Sequence, residues 1–151
     1  MPLKRILIGR QDKAGFPELN LEDVEVKVDT GAYTSSFHCH KITVVKENGQ
    51  EKLCCYFLDP EHEKYHNQRF LFDQFKLKKV RSSNGIMEER FSVRTKIEIF
   101  EKVFPIELTL TERGNMKFPV LLGRKFLSKK FVVDSSMKDL SRKGIIKNII
   151  V

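Results

Sequence analysis

Asp29-Thr30-Gly31 carries the most definite chemistry in this chain of 151 residues. A carboxylate at a tight turn after a strand can be held rigidly and made to face its equal. Glycine beside it supplies backbone freedom and leaves room for the carboxylate. The threonine hydroxyl can brace the turn. Two such carboxylates close together cannot both ionise, so they share one proton. One member then activates water while the other polarises a carbonyl. The tripeptide occurs once. Asp134 closes Phe131-Val132-Val133, but Ser135-Ser136 follow it rather than Thr-Gly. One chain thus encodes half of such a pair, and the chemistry requires a second copy on a two-fold axis, a C2 homodimer.

Other residue sets offer competing chemistry. His62-Glu63-Lys64-Tyr65-His66 spells H-E-x-x-H, which on a helix places two imidazoles on one face with a glutamate base. Its flanks are polar, no long amphipathic helix surrounds it, and a third ligand is missing, so it reads as a surface turn or short helix. His38 and His40 fall on one side of a strand with Cys39 opposite, and Cys54-Cys55 lie on the next strand. Alternation splits those donors between two faces, the pattern of an ordinary buried strand. No metal site is therefore expected. Arg81, Arg90 and Arg94 could bind acidic side chains by bidentate pairing, or balance Glu88 and Glu89 across a hairpin.

The elements that must position Asp29 are mostly strands. Val24 to Asp29 alternates Val-Glu-Val-Lys-Val, the period of a half-buried strand. Arg5 to Gly9 is a short apolar strand, and Arg10 to Asn20, with its Gly and Pro, reads as a loop. Phe37 to Val45 and Lys52 to Leu58 flank Glu47-Asn48-Gly49, a hairpin signal. Phe70 to Val80 mixes Phe, Leu and Lys, and the polar break from Arg81 to Gly85 ends in a second Asn-Gly. Phe91 to Phe100 and Val103 to Thr111 both alternate. Val120-Leu121-Leu122-Gly123 is a buried strand, Arg124 to Ser128 a short helix, and Phe131 to Asp134 and Ile145 to Val151 are late strands. Short strands at this spacing predict one all-β domain over residues 1–151, closed or folded on itself.

Composition sets the outer bounds. A formal charge of +8 favours acidic partners, whether nucleic acid, a ribosomal surface or an acidic peptide, unless the cations merely solvate the surface. Nucleic acid is not excluded on this ground. Three cysteines, two of them adjacent, make no disulfide framework. The opening MPLKRILIGR has too short an apolar core for a signal peptide. No run approaches the roughly 18 apolar residues of a membrane span. A cytoplasmic protein that does not enter the membrane is expected.

Four segments together carry a resemblance: KVDTGAYTSS from Lys27, VRSSNGIMEERFSVRT from Val80, IELTLTERGNMKFPVLLGR from Ile106 and FVVD from Phe131. The chain resembles the retropepsin-like aspartic proteases. Within them it is most similar to the bacterial and archaeal family labelled "ATP-dependent zinc protease", associated with ATP-grasp glutamate ligases. The resemblance implies a retropepsin-like closed barrel with one short helix, acting as an aspartic endopeptidase on an extended peptide. Asp29 would be the catalytic carboxylate. Thr30 would brace the paired turns across the dimer, the Gly31 carbonyl would accept a hydrogen bond from substrate, and Ala32 would complete the turn. Leu121, Leu122 and Gly123 would pack behind that turn. Arg81, Ser82, Ser83, Asn84 and Gly85 would form the flap, a hairpin that closes over the peptide and excludes water.

Retropepsins place an Asp after Asp-Thr-Gly-Ala to pair with the Arg of Gly-Arg. Tyr33 stands there instead, which leaves Arg124 without that partner. The association with glutamate ligases implies an acidic or glutamate-rich peptide substrate and a ligase partner. The dyad chemistry needs no metal or nucleotide cofactor. A non-catalytic module that keeps the fold and binds a peptide or partner is the alternative that Tyr33 raises.

Overall fold

In the computed structural model, which describes residues 3–82, 84–112 and 117–151, strands dominate and one short α-helix is present among them. The strands are β1 (Lys4–Ile8), β2 (Gln11–Phe16), β3 (Leu21–Val28), β4 (Ser35–Glu47), β5 (Gln50–Phe57) and β6 (Phe70–Phe72). They continue as β7 (Lys76–Arg81), β8 (Met87–Ile99), β9 (Lys102–Thr111) and β10 (Val120–Leu122). Helix α1 (Arg124–Leu127) leads to β11 (Phe131–Val133) and β12 (Asn148–Ile150).

The larger sheet runs β10-β3-β2-β8-β9-β4-β5-β6, with β7 paired to β8. Strand β10 also pairs β4, so the path from β10 through β3, β2, β8 and β9 to β4 returns on itself. The expected barrel thus takes the form of a ring of strands. Closure leaves the six ring strands without a free edge that would template pairing with other chains, while β6 and β7 remain at edges. A smaller sheet, β11-β1-β12, gathers the two ends of the chain.

The alternating segments pack as their periods require. In β3, Leu21, Val24, Val26 and Val28 are buried between exposed neighbours. In β8, Val93, Thr95, Ile97 and Ile99 turn inward. Phe16, Phe37 and Phe57 form a T-shaped stack with centroids 5.0 and 4.9 Å apart. Phe100, Phe104, Phe126 and Phe131 form a second aromatic group beneath α1. Each such ring contributes roughly 1.5–3 kcal/mol through burial, and these rings sit within a core otherwise built mostly of Ile, Leu and Val.

Two expectations need correction. Arg10 to Asn20 is not a loop: Gln11–Phe16 is β2, and Pro17–Leu19 is a single 3-10 turn. Asp12 faces inward there and breaks the apolar alternation, yet its carboxylate is satisfied by the backbone N–H groups of Ser141 and Arg142 at 2.9 and 3.1 Å. Burial nonetheless holds its pKa above the ordinary value. The mixed stretch from Phe70 to Val80, which carried no assignment, holds β6 and most of β7. The last strand is limited to Asn148–Ile150.

Candidate active site

Strand β3 ends with Val28 buried, and the chain turns at Asp29. The Asp29 N–H donates to the Leu122 carbonyl at 2.9 Å, which fixes the start of the turn to β10. The Gly31 N–H donates to Asp29 Oδ1 at 3.1 Å, and the Ala32 N–H to the Asp29 carbonyl at 3.2 Å. The carboxylate is half-buried, with its orientation set by its own turn. A Cβ at position 31 would stand 3.3 Å from Asp29 Oδ1. Gly31 has no left-handed φ. Room for the carboxylate, rather than an unusual backbone conformation, is what glycine provides here.

Strand β10 lies between the strands that enter and leave this turn. It pairs parallel with β3 (Leu122 opposite Val28) and antiparallel with β4 (Leu121 opposite Ser36). At its end the Gly123 N–H donates to Ser35 Oγ at 3.0 Å, Arg124 N–H to the Ala32 carbonyl at 2.8 Å and Lys125 N–H to the Tyr33 carbonyl at 2.9 Å. Gly123 is packed against the far side of the turn: an added Cβ would lie 2.5 Å from the Thr34 carbonyl oxygen and 2.7 Å from that of Tyr33. Leu121, Leu122, Gly123 and Arg124 therefore all sit against Lys27 to Ser36, although they are distant in sequence.

Arg124 has partners other than the absent Asp. Its Nη1 donates to the Thr30 carbonyl at 2.9 Å, and its guanidinium lies over the Tyr33 ring, 5.8 Å from the centroid. A charge-assisted hydrogen bond and an aromatic face replace the ion pair.

Strands β7 and β8 form the hairpin whose tip was expected to act as a flap. Arg81 pairs Met87 at its end. Gly85 has φ +83, and Gly85 N–H closes the turn on the Ser82 carbonyl at 2.9 Å. Ser82 Oγ donates to the Ile86 carbonyl at 3.0 Å, and Asn84 Oδ1 accepts from the Ile86 N–H at 3.3 Å. Ser83 lies outside the described residues. Ile86 and Met87 are exposed at the tip. Among the described residues no hydrogen bond or ion pair joins this tip to Asp29. Arg90 pairs Glu88 at 3.1 Å, while Arg94 reaches toward Glu107 at 3.9 Å, so both face carboxylates of the chain itself.

Glu107 is a functional candidate the sequence did not reveal. It accepts from Lys78 on the hairpin strand β7 and from Lys125 on α1, the latter at 2.9 Å. Burial alone would raise its pKa, but the hydrogen bonds and charges of both lysines outweigh it and hold the group at about 2. One carboxylate thus ties the hairpin to the helix that grips the Asp29 turn. A charged residue in the middle of an apolar strand was the only available signal.

The competing sets resolve differently. His62 to His66 is turn and coil, not helix. His62 Nδ1 accepts the Lys64 N–H at 3.0 Å, and His66 Nε2 donates to the Leu19 carbonyl at 3.0 Å. Among the described residues no group of three or more His, Cys, Asp and Glu is placed to hold a metal ion. His38 is buried beside Asp59 at 3.7 Å, and burial lowers its pKa despite that neighbour. Cys39, Cys54 and Cys55 are free and buried. Among the described residues no helix is long and apolar enough to cross a membrane.

A turn of Asp-Thr-Gly held by an apolar-apolar-Gly-Arg strand, on a ring of strands, defines the retropepsin-like class. The family described as RimB-like, retropepsin-like aspartic endopeptidase RimB, matches residues 7–144, and the chain belongs to it. It is 32% identical over 136 residues to a protein of Desulfotalea psychrophila described as "Probable alpha-L-glutamate ligase", covering 87% of this chain and 28% of that one. A protein of Shewanella halifaxensis with the same description is 33% identical over 137 residues, 87% of this chain and 29% of its own length. The chain thus spans less than a third of these relatives. A crystal structure of a Legionella pneumophila protein of unknown function, Lpg0085, superposes with a TM-score of 0.67 at 26% identity, covering 89% of this chain and 97% of that one.

Proposed function

We propose that two copies of this chain form an aspartic endopeptidase in which paired Asp29 carboxylates activate water. The observation that carries this reading is the fixation of the Asp29 turn from both ends by β10 and α1. In the paired site one carboxylate takes a proton from water as the oxygen attacks the peptide carbonyl, and the other donates its proton to the carbonyl oxygen. Collapse of the tetrahedral adduct returns a proton to the leaving amine and releases the two peptides. Asp134 is a poor alternative for the second carboxylate. Ser136 already engages its Oδ1 through backbone and hydroxyl at 2.9 and 2.6 Å, which lowers its pKa.

The substrate in this reading is an extended acidic peptide, glutamate-rich in composition. Two things support it: the +8 charge of the chain, and the description of its relatives as probable glutamate ligases, in which a matching segment is part of a longer protein. A glutamate ligase is accordingly the proposed partner. The decisive experiment compares wild type with Asp29→Asn on glutamate-rich peptides, with dimerisation followed by analytical ultracentrifugation. Cleavage should vanish in the variant while its fold and self-association persist. Equal cleavage by the two proteins would refute the mechanism; binding without cleavage by wild type would favour a non-catalytic module.

A further inference from the structure

Two basic depressions share Lys130, just beyond α1, and they differ in their counter-charge. The first, about 180 Å³, is lined by Arg94, Lys125 and Lys130 together with Glu107, which neutralises part of its charge. The second, about 430 Å³, is lined by Lys4, Lys102, Lys129 and Lys130, with Ile6, Phe104 and Asn148 completing it. No carboxylate lines this second depression. Among the described residues Lys4, Lys102 and Lys129 form no ion pair. Cations gathered in a concavity without a counter-charge concentrate anions there.

Local structure builds this arrangement. Lys4 and Ile6 alternate onto one face of β1, as do Lys102 and Phe104 on β9. Lys129 holds φ +68, a conformation that costs a lysine more than it would a glycine. Lys130 lies across the Phe126 ring and donates to the Phe126 carbonyl at 2.9 Å, so it forms the divide between the two depressions. Phe126 belongs to the same short helix whose first residues hold Ala32 and Tyr33.

We propose that the second depression is an exosite for carboxylate side chains of the peptide substrate, built in part by Lys129 and Lys130 just beyond α1, the helix whose first residues hold the Asp29 turn. This rests on the acidic-peptide reading given above and locates where the acidic residues bind. The composition favours peptide over nucleic acid. Single-stranded nucleic acid sites stack bases on open aromatic rings. The only aromatic here, Phe104, is packed edge-on against Phe126 and Phe131 at 5.9 and 5.8 Å. Ile6 and the Phe104 edge suit the methylenes of a glutamate side chain, and the Asn148 amide can pair with a peptide backbone.

The test uses a fluorescein-labelled α-linked oligoglutamate and the Asp29→Asn chain, so that binding is read without cleavage. Lys102→Glu with Lys129→Glu should weaken binding about tenfold or more, because two attractive contacts become repulsive. Lys46→Glu with Lys143→Glu, both exposed and outside the depression, lowers the net charge equally and should change affinity by less than about twofold. Equal loss in the two doubles would mean bulk charge alone and would overturn the exosite. So would absence of oligoglutamate binding, or displacement of the peptide by a single-stranded oligonucleotide that itself requires Lys102 and Lys129. In the catalytically intact chain, the Lys102/Lys129 double should raise KM for a glutamate-rich peptide and leave kcat unchanged. A wild type that binds oligoglutamate here but cleaves nothing would remove the endopeptidase reading and leave the exosite in place.

Discussion

Gly123→Ala is the sharpest perturbation of the framework behind Asp29. The new methyl would meet the Thr34 carbonyl oxygen at 2.5 Å, its carbon at 2.7 Å and the Tyr33 oxygen at 2.7 Å. All three are backbone atoms in the segment that leaves the Asp29 turn, so no side-chain rotation relieves the contact. Forcing a methyl into such packing costs about 1–3 kcal/mol. Displacing the strand also weakens the bond from Gly123 N–H to Ser35 Oγ, worth about 1 kcal/mol. The sum, about 2–4 kcal/mol, corresponds to a fall in Tm of roughly 4–16 °C for a domain of this size. Urea unfolding of the two proteins measures it directly. Gly9→Ala is the control: its methyl would meet the Met137 carbonyl oxygen at 2.3 Å, a similar clash outside the Asp29 turn. Both variants should lose stability, but only Gly123→Ala should lose the proposed peptidase activity beyond its loss of folded protein. A Gly123→Ala chain within about 0.5 kcal/mol of wild type would refute the packing argument.

Two more perturbations probe the charged and thiol groups. The stability supplied by Glu107, whose folded pKa lies at about 2, is fully present above its ordinary value of 4.5 and is lost as pH falls between the two. Glu107→Gln should therefore cost about 1–2 kcal/mol at neutral pH and flatten the acid limb of a stability-against-pH curve; an unchanged acid limb argues against the link. Burial pushes the Cys39 thiol well above its ordinary range, and all three cysteines are buried. Ellman's reagent should leave them unmodified in the native protein and count all of them on denaturation, whereas a fast native reaction would contradict that packing.

The alternating segments were readable because burial follows the strand period: β3, β8 and β9 lie where the pattern placed them. The Asn48-Gly49 hairpin was equally direct, with φ of +53 and +78 at the two residues. Strand β2 was hidden because its inward positions include Asp12, whose partners Ser141 and Arg142 stand 129 and 130 residues away. No local pattern reports a buried carboxylate satisfied at that distance. The contacts of Arg124 were illegible for a related reason. The sequence shows that an acidic partner is missing, but the Thr30 carbonyl and the Tyr33 face become partners only once β10 lies against β3. Glu107 was missed because strands β7 and β9 and helix α1 each supply one part of its cluster.

The placement of β10 also sets an order in time. Asp29 and Thr30 are synthesised early, yet the Leu122 carbonyl and the Arg124 guanidinium that fix them follow much later, Arg124 standing 94 residues beyond Thr30. Contacts so distant along the chain form late in folding, after closure entropy has been overcome. A nascent chain that ends before Val120 carries the Asp-Thr-Gly sequence without the strand that shapes it. The Asp29 turn is thereby left without its framework until the strand that fixes it has been made and packed, while exposed polypeptide is still being synthesised beside it.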